Sequence, residues 1–159
     1  MTIVQDETHG RQIITFHSGE QEFGADILLI REIRGWTATT SLPHAPQHVH
    51  GVINLRGVVL PVIDLSALLG RGRMEPCSKH AIVVVSTGDS TIGLLVEAVS
   101  DIVSIADASV QPAPALLSDH YARFIEGIAI LDERLVTLLN LRLLTDALAG
   151  ELRDVATAA

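Results

Sequence analysis

Short apolar runs, broken by glycines and acidic turns, dominate the chain. Ile13-Ile14-Thr15-Phe16 leads into Ser18-Gly19-Glu20 and resumes at Glu22-Phe23-Gly24, and Ile82 to Val85 leads into Thr87-Gly88-Asp89 and resumes at Thr91-Ile92-Gly93. Runs of this length and composition, joined across a tight polar turn, read as β-hairpins. Gly51 to Leu65 has the same build, with Arg56-Gly57 at its centre as a natural two-residue tip. After Leu141 the period changes: Leu141, Leu144, Leu148 and Leu152 recur at near-helical spacing. Gly150 is expected to interrupt that helix, and Asp154 to Ala159 to fray. Ala113 to Phe124 also reads as a short helix, with Leu116, Leu117, Tyr121 and Phe124 near one face.

The hairpins repeat. At an offset of 69, Gly19 falls on Gly88, Phe23 on Ile92, Gly24 on Gly93, and further on Ile30, Glu32 and Ile33 fall on Val99, Asp101 and Ile102. At an offset of 76, Gly51 to Leu65 falls on Gly127 to Leu141, with Leu55 over Leu131 and Asp64 over Asn140. The difference between the two offsets is taken up in the connecting segments, Thr37–His50 and Ser104–Glu126, each of which holds two nearby prolines. Matches in the same order predict an internal duplication. The expected product is a mainly β protein of two similar subdomains, about 12–70 and 79–148, five strands each with short helices. Arg71 to Pro76 joins them, and 149–159 is a C-terminal tail. Barrel closure is expected, since it removes the exposed edges of short apolar strands. Pro61, which lacks a ladder donor, also asks for an edge, a bulge or a barrel corner.

Composition narrows the function. A chain of 159 residues that is 48% hydrophobic and 19% charged can bury a core. A net charge of −8 and only five aromatics argue against nucleic acid as a partner. The start MTIVQDETHGRQ lacks the layout of a signal peptide, and no apolar run reaches the roughly 18 residues of a spanning helix. With a single cysteine, Cys77, this reads as a soluble protein of a reducing compartment, without direct membrane insertion. Catalytic equipment is missing from the pattern. Cys77 has no local partner, no serine lies in a nucleophile elbow, and no glycine loop carries a phosphate-binding lysine. No catalytic residue and no cofactor are expected. His44, His48 and His50 alone have metal-ligand spacing, and a small metal-dependent enzyme is the reading they would support. The set is incomplete and Pro43 and Pro46 break it, so an exposed loop of titrating histidines is the expectation. The carboxylate pairs Asp6-Glu7 and Asp132-Glu133 are expected to decorate a tail and a hairpin. The hairpin tips contrast in charge: Arg56-Gly57 in the first copy, Asp132-Glu133 in the second.

Gly51-Val-Ile-Asn-Leu-Arg-Gly-Val-Val-Leu-Pro-Val-Ile-Asp-Leu65 closely resembles the signature of the CheW-like chemotaxis coupling proteins. Phe23 to Gly35, Pro112-Ala-Pro114 and Gly127-Ile-Ala-Ile are similar to that family's other landmarks, and the likeness covers about Gln12 to Leu148. The Gly-Arg-Met-Glu-Pro-Cys connector departs from it. The resemblance implies two SH3-like five-stranded barrels with a groove between them. It implies a non-enzymatic adaptor that couples the cytoplasmic tips of chemoreceptors (methyl-accepting chemotaxis proteins) to a CheA-type histidine kinase, whose regulatory domain shares the fold. It places the protein in the cytoplasm at membrane-associated receptor arrays. Receptor-binding positions would be Ile30, Glu32, Arg56 and Val58, with kinase contacts at the barrel ends. The alternative is a coupling protein of a related kinase pathway, for surface motility or development, with a different receptor; no residue of the sequence separates the two.

Overall fold

The computed structural model describes residues 10–88, 90–112 and 123–158. The helix expected over Ala113 to Phe124 lies outside the described residues apart from Arg123 and Phe124, which form a turn. Strands β1 (Gly10–Ser18) and β2 (Gln21–Asp26) form the first hairpin. A 3-10 turn at Ile27–Leu29 follows, opened by the Asp26 carboxylate, which accepts the Leu28 N–H. Next come β3 (Ile30–Gly35), β4 (Val49–Leu55), β5 (Val58–Asp64) and the short helix α1 (Leu65–Leu68). The second half runs through β6 (Ala81–Ser86), β7 (Thr91–Val96), β8 (Ala98–Ala106), β9 (Val110–Gln111), β10 (Ile125–Leu131) and β11 (Arg134–Leu139). It ends in helix α2 (Leu141–Ala158). Gly150 lies inside α2, which continues past it, so the expected interruption and tail are replaced by helix.

The duplication is present in the geometry. Each long hairpin shifts register at its start, between Val49 and Gly51 in β4 and between Ile125 and Gly127 in β10. At the end of each, a side-chain oxygen caps the helix that follows: Asp64 accepts the Ala67 N–H at 3.2 Å, and Asn140 accepts the Leu143 N–H at 3.1 Å. The parallel junctions also correspond, Val62 opposite Gly93 and Leu138 opposite Gly24.

Strand pairing does not respect the midpoint of the chain. One sheet has the order β3-β6-β7-β5-β4, and the other β8-β1-β2-β11-β10-β9. The first half lends its opening hairpin to the second sheet, and the second half lends β6–β7 to the first. The connector at 71–79 therefore divides the sequence repeats and not the sheets. Each sheet closes through the excursion after its edge strand. Thr40 exchanges two backbone hydrogen bonds with Val52 of β4, at 2.9 and 2.8 Å, and β9 pairs with β10 in the corresponding place. Because β9 is counted as a strand, the second sheet has six strands where five were expected.

This exchange accounts for the continuous apolar runs. Ile82 and Val84 point into a core with Ile53, Leu60, Val62 and Leu95, whereas Val83 and Val85 point into a larger one. That larger core holds Phe16 and Phe23 from the second sheet, Ile63 and Leu94 from the first, and Leu144 and Leu148 from α2. A third cluster, Ile13, Ile105, Ala129, Val136 and Leu138, fills the six-stranded sheet. Strands buried on both faces need apolar side chains at every position, and alternation disappears. The two sheets and α2 thus share a central core.

Candidate functional site

Edge strand β3 and the tip of the β4–β5 hairpin face each other across the seam of the five-stranded sheet. There the Arg56 guanidinium pairs with one carboxylate oxygen of Glu32. Arg34, two residues along β3, lies 3.5 Å from the other oxygen. The two site residues proposed from sequence are therefore brought together. The hydrogen bond from Arg56, with help from Arg34, holds the Glu32 carboxyl below the usual glutamate range, and Glu32 in turn raises Arg56.

The Arg56 side chain remains 65% exposed while that of Glu32 is 25% exposed. The carboxylate is sheltered and the guanidinium faces solvent. On the same two elements, apolar side chains stand in solvent: Val58 and Val59 at the start of β5 are 60% and 69% exposed, and Ile33 of β3 is also exposed. Ile30 is half-buried and packs against the shared core, separated from Glu32 by a register shift in β3. Arg34, which joins the pair, was not singled out in the sequence. Ile33 and Val59 correspond in the repeat to Ile102 and Leu135, and all four are exposed.

The equivalent corner of the other sheet uses the same physics with different residues. Asp101, in the place of Glu32, accepts from Thr15 Oγ1 at 2.7 Å and lies 3.3 Å from Arg134. The Thr15 hydroxyl and then Arg134 hold its carboxyl below the usual range. Arg134 also reaches Glu22 at 3.2 Å. An open groove of about 720 Å³ runs beside Val103, Ile130 and the acidic tip Asp132-Glu133.

His44 lies exposed in a turn, as expected, whereas His48 and His50 do not belong to an exposed loop. His48 Nε2 lies 2.7 Å from Glu151 of α2, fastening the helix to the start of β4. His50 is nearly buried between Asp64, Arg73 and the edge of Trp36. Arg73 can only donate, so His50 Nδ1 accepts from it, and His50 Nε2–H donates to Asp64 at 3.0 Å. Asp64 is fully buried and also accepts the Met74 N–H, tying the connector to the barrel. His48 and His50 are structural because each is spent on a carboxylate of a different element. Among the described residues no group of three or more His, Cys, Asp or Glu side chains is arranged to hold a metal ion. Cys77 is a free, exposed thiol.

The family model of the CheW-like domain matches residues 12–149. The chain belongs to the CheW-like family. It is 47% identical over 132 residues to a chemotaxis protein CheW of Rhizobium meliloti (strain 1021), covering 83% of this chain and 85% of that one. A probable chemotaxis protein CheW of Rhizobium etli is 46% identical over 134 residues, covering 84% and 86%. Among solved structures, the scaffolding protein TtCheW from Thermoanaerobacter tengcongensis superposes with a TM-score of 0.74 at 31% identity, over 81% of this chain and 88% of that chain. The two sheets are accordingly the two SH3-like subdomains of this CheW-like chain. Its role is that of a coupling adaptor in chemotactic signal transduction.

Proposed function

We propose that this adaptor binds the cytoplasmic tip of a chemoreceptor through the Glu32–Arg56 corner, with Val58 and the half-buried Ile30 in supporting places. A CheA-type histidine kinase is the second partner, held through its regulatory domain, and the complex works in the cytoplasm at receptor arrays. The observation that carries the receptor site is the sheltered Glu32 beneath an exposed Arg56, with the exposed Val58 two residues past Arg56 on the same hairpin. Helical partners are recognised by aliphatic walls with a few charges that set register. An ion pair this exposed adds little to folding, so recognition accounts for it better than stability does. This reading gives the adaptor no chemistry of its own.

A pull-down with three components tests this. Receptor fragment and kinase regulatory domain should be recovered together only when the adaptor is present. Recovery of neither partner, or saturable binding of ATP with turnover, would overturn it.

A further inference from the structure

The turn that presents Arg56 carries an unusual residue in a demanding place. Leu55 pairs with Val58, so Arg56 and Gly57 are its two central residues, and both are left-handed, with φ of +52° and +87°. Two-residue hairpins whose twist suits their strands need such a pair of positive angles, and Asn, Asp or Gly ordinarily takes the first place. Arginine there sets its Cβ against the following carbonyl, with no short polar side chain to compensate. One contact compensates from outside: the Gly57 N–H donates to Asn54 Oδ1 at 2.7 Å. The repeat supplies a comparison. In the second hairpin the left-handed residue is Asp132, φ +54°, which tolerates that conformation by itself, and Ile130 stands in the place of Asn54. The amide acceptor occurs where the arginine does.

We propose that Asn54 is a positioning residue for partner recognition, locking the turn so that Arg56 bridges Glu32 and aims its remaining N–H donors outward at a carboxylate of the receptor. This rests on the receptor-facing reading of Arg56. A guanidinium has five N–H donors and Glu32 engages only one nitrogen. Asn54 is itself exposed, so its replacement leaves the core untouched.

The test is a double-mutant cycle on affinity for a receptor cytoplasmic fragment, with the Gly57 amide followed by hydrogen exchange and each variant's melting recorded. Asn54→Ala should speed Gly57 exchange, leave the fold intact and weaken binding by about three- to tenfold, the range for one lost hydrogen bond. Asn54→Asp, which keeps the acceptor, should bind nearly as the parent does. In an Arg56→Ala background, Asn54→Ala should add no further loss. Parent-like affinity of Asn54→Ala, or an equal loss with and without Arg56, overturns the positioning role. Parent-like affinity of Arg56→Ala itself is a separate result, and overturns the receptor reading along with it.

Discussion

Two arginines on one glutamate make the Glu32 carboxylate acidic, and its linkage to folding has a definite sign. The folded value lies below that of the unfolded chain, which is about 4.3 for an ordinary glutamate. The stabilisation is therefore fully present above that value and is lost as pH falls through the lowered folded value. Melting temperatures of the parent and Glu32→Gln should differ by a constant amount from pH 7 to about pH 5, and the difference should shrink as pH falls below the ordinary glutamate range. A difference that widens on acidification would contradict this. At this scale the sequence was only partly legible. Glu32 and Arg56 are 24 residues apart, and no local pattern joins them; the hairpin tip singled out Arg56, and only the family resemblance set Glu32 beside it. Asn54 sits in that same signature, but its hydrogen bond depends on backbone angles that composition does not show. His50 looked like a loop residue because Pro43 and Pro46 precede it, yet Asp64 and Arg73 enclose it from elements distant in sequence.

Hairpins were the most legible elements, since each has apolar strands and a distinct polar turn within a few residues. The repeat even predicted which two would match. What the pattern did not show is how each barrel closes, because closure depends on an excursion with no periodicity. Gly51 is the position where closure and strand meet. It has φ of +143°, and a Cβ there would lie 2.3 Å from the Thr40 carbonyl oxygen. Gly127 is constrained in the same way, against the Gln111 carbonyl at 2.6 Å. Gly51→Ala should therefore destabilise by roughly 2–5 kcal/mol in denaturant unfolding, through backbone strain and overpacking at the Thr40–Val52 bridge. A loss below about 0.5 kcal/mol, typical of an ordinary surface change, would show that the excursion moves aside at no cost. Gly150 was misjudged for the opposite reason: nothing lies within 4 Å of its missing Cβ, and the apolar face of α2, with Leu144 and Leu148 in the shared core, carries the helix through it.

Taken whole, the molecule is two sheets that exchange hairpins around a common core, a design that fixes the barrels against each other. Fold class was readable because strand length, turn chemistry and repeat all agreed. The exchange was not, since a period of two says which face is buried and not which strand lies alongside. The continuous run Ile82–Val85, fully buried, was the one trace of it. Barrels packed on one core would let one surface take the receptor and leave others free for the kinase, and this proposed separation is the central claim. It is tested most directly by measuring the affinity of one variant, Arg56→Glu, for both partners. Glu32 would then face a like charge, and a partner carboxylate would be repelled, so receptor-fragment binding should fall at least about thirtyfold. Affinity for the kinase regulatory domain, and the cooperative melt, should stay close to those of the parent. Undiminished receptor binding, or equal loss of both partners, would contradict the account.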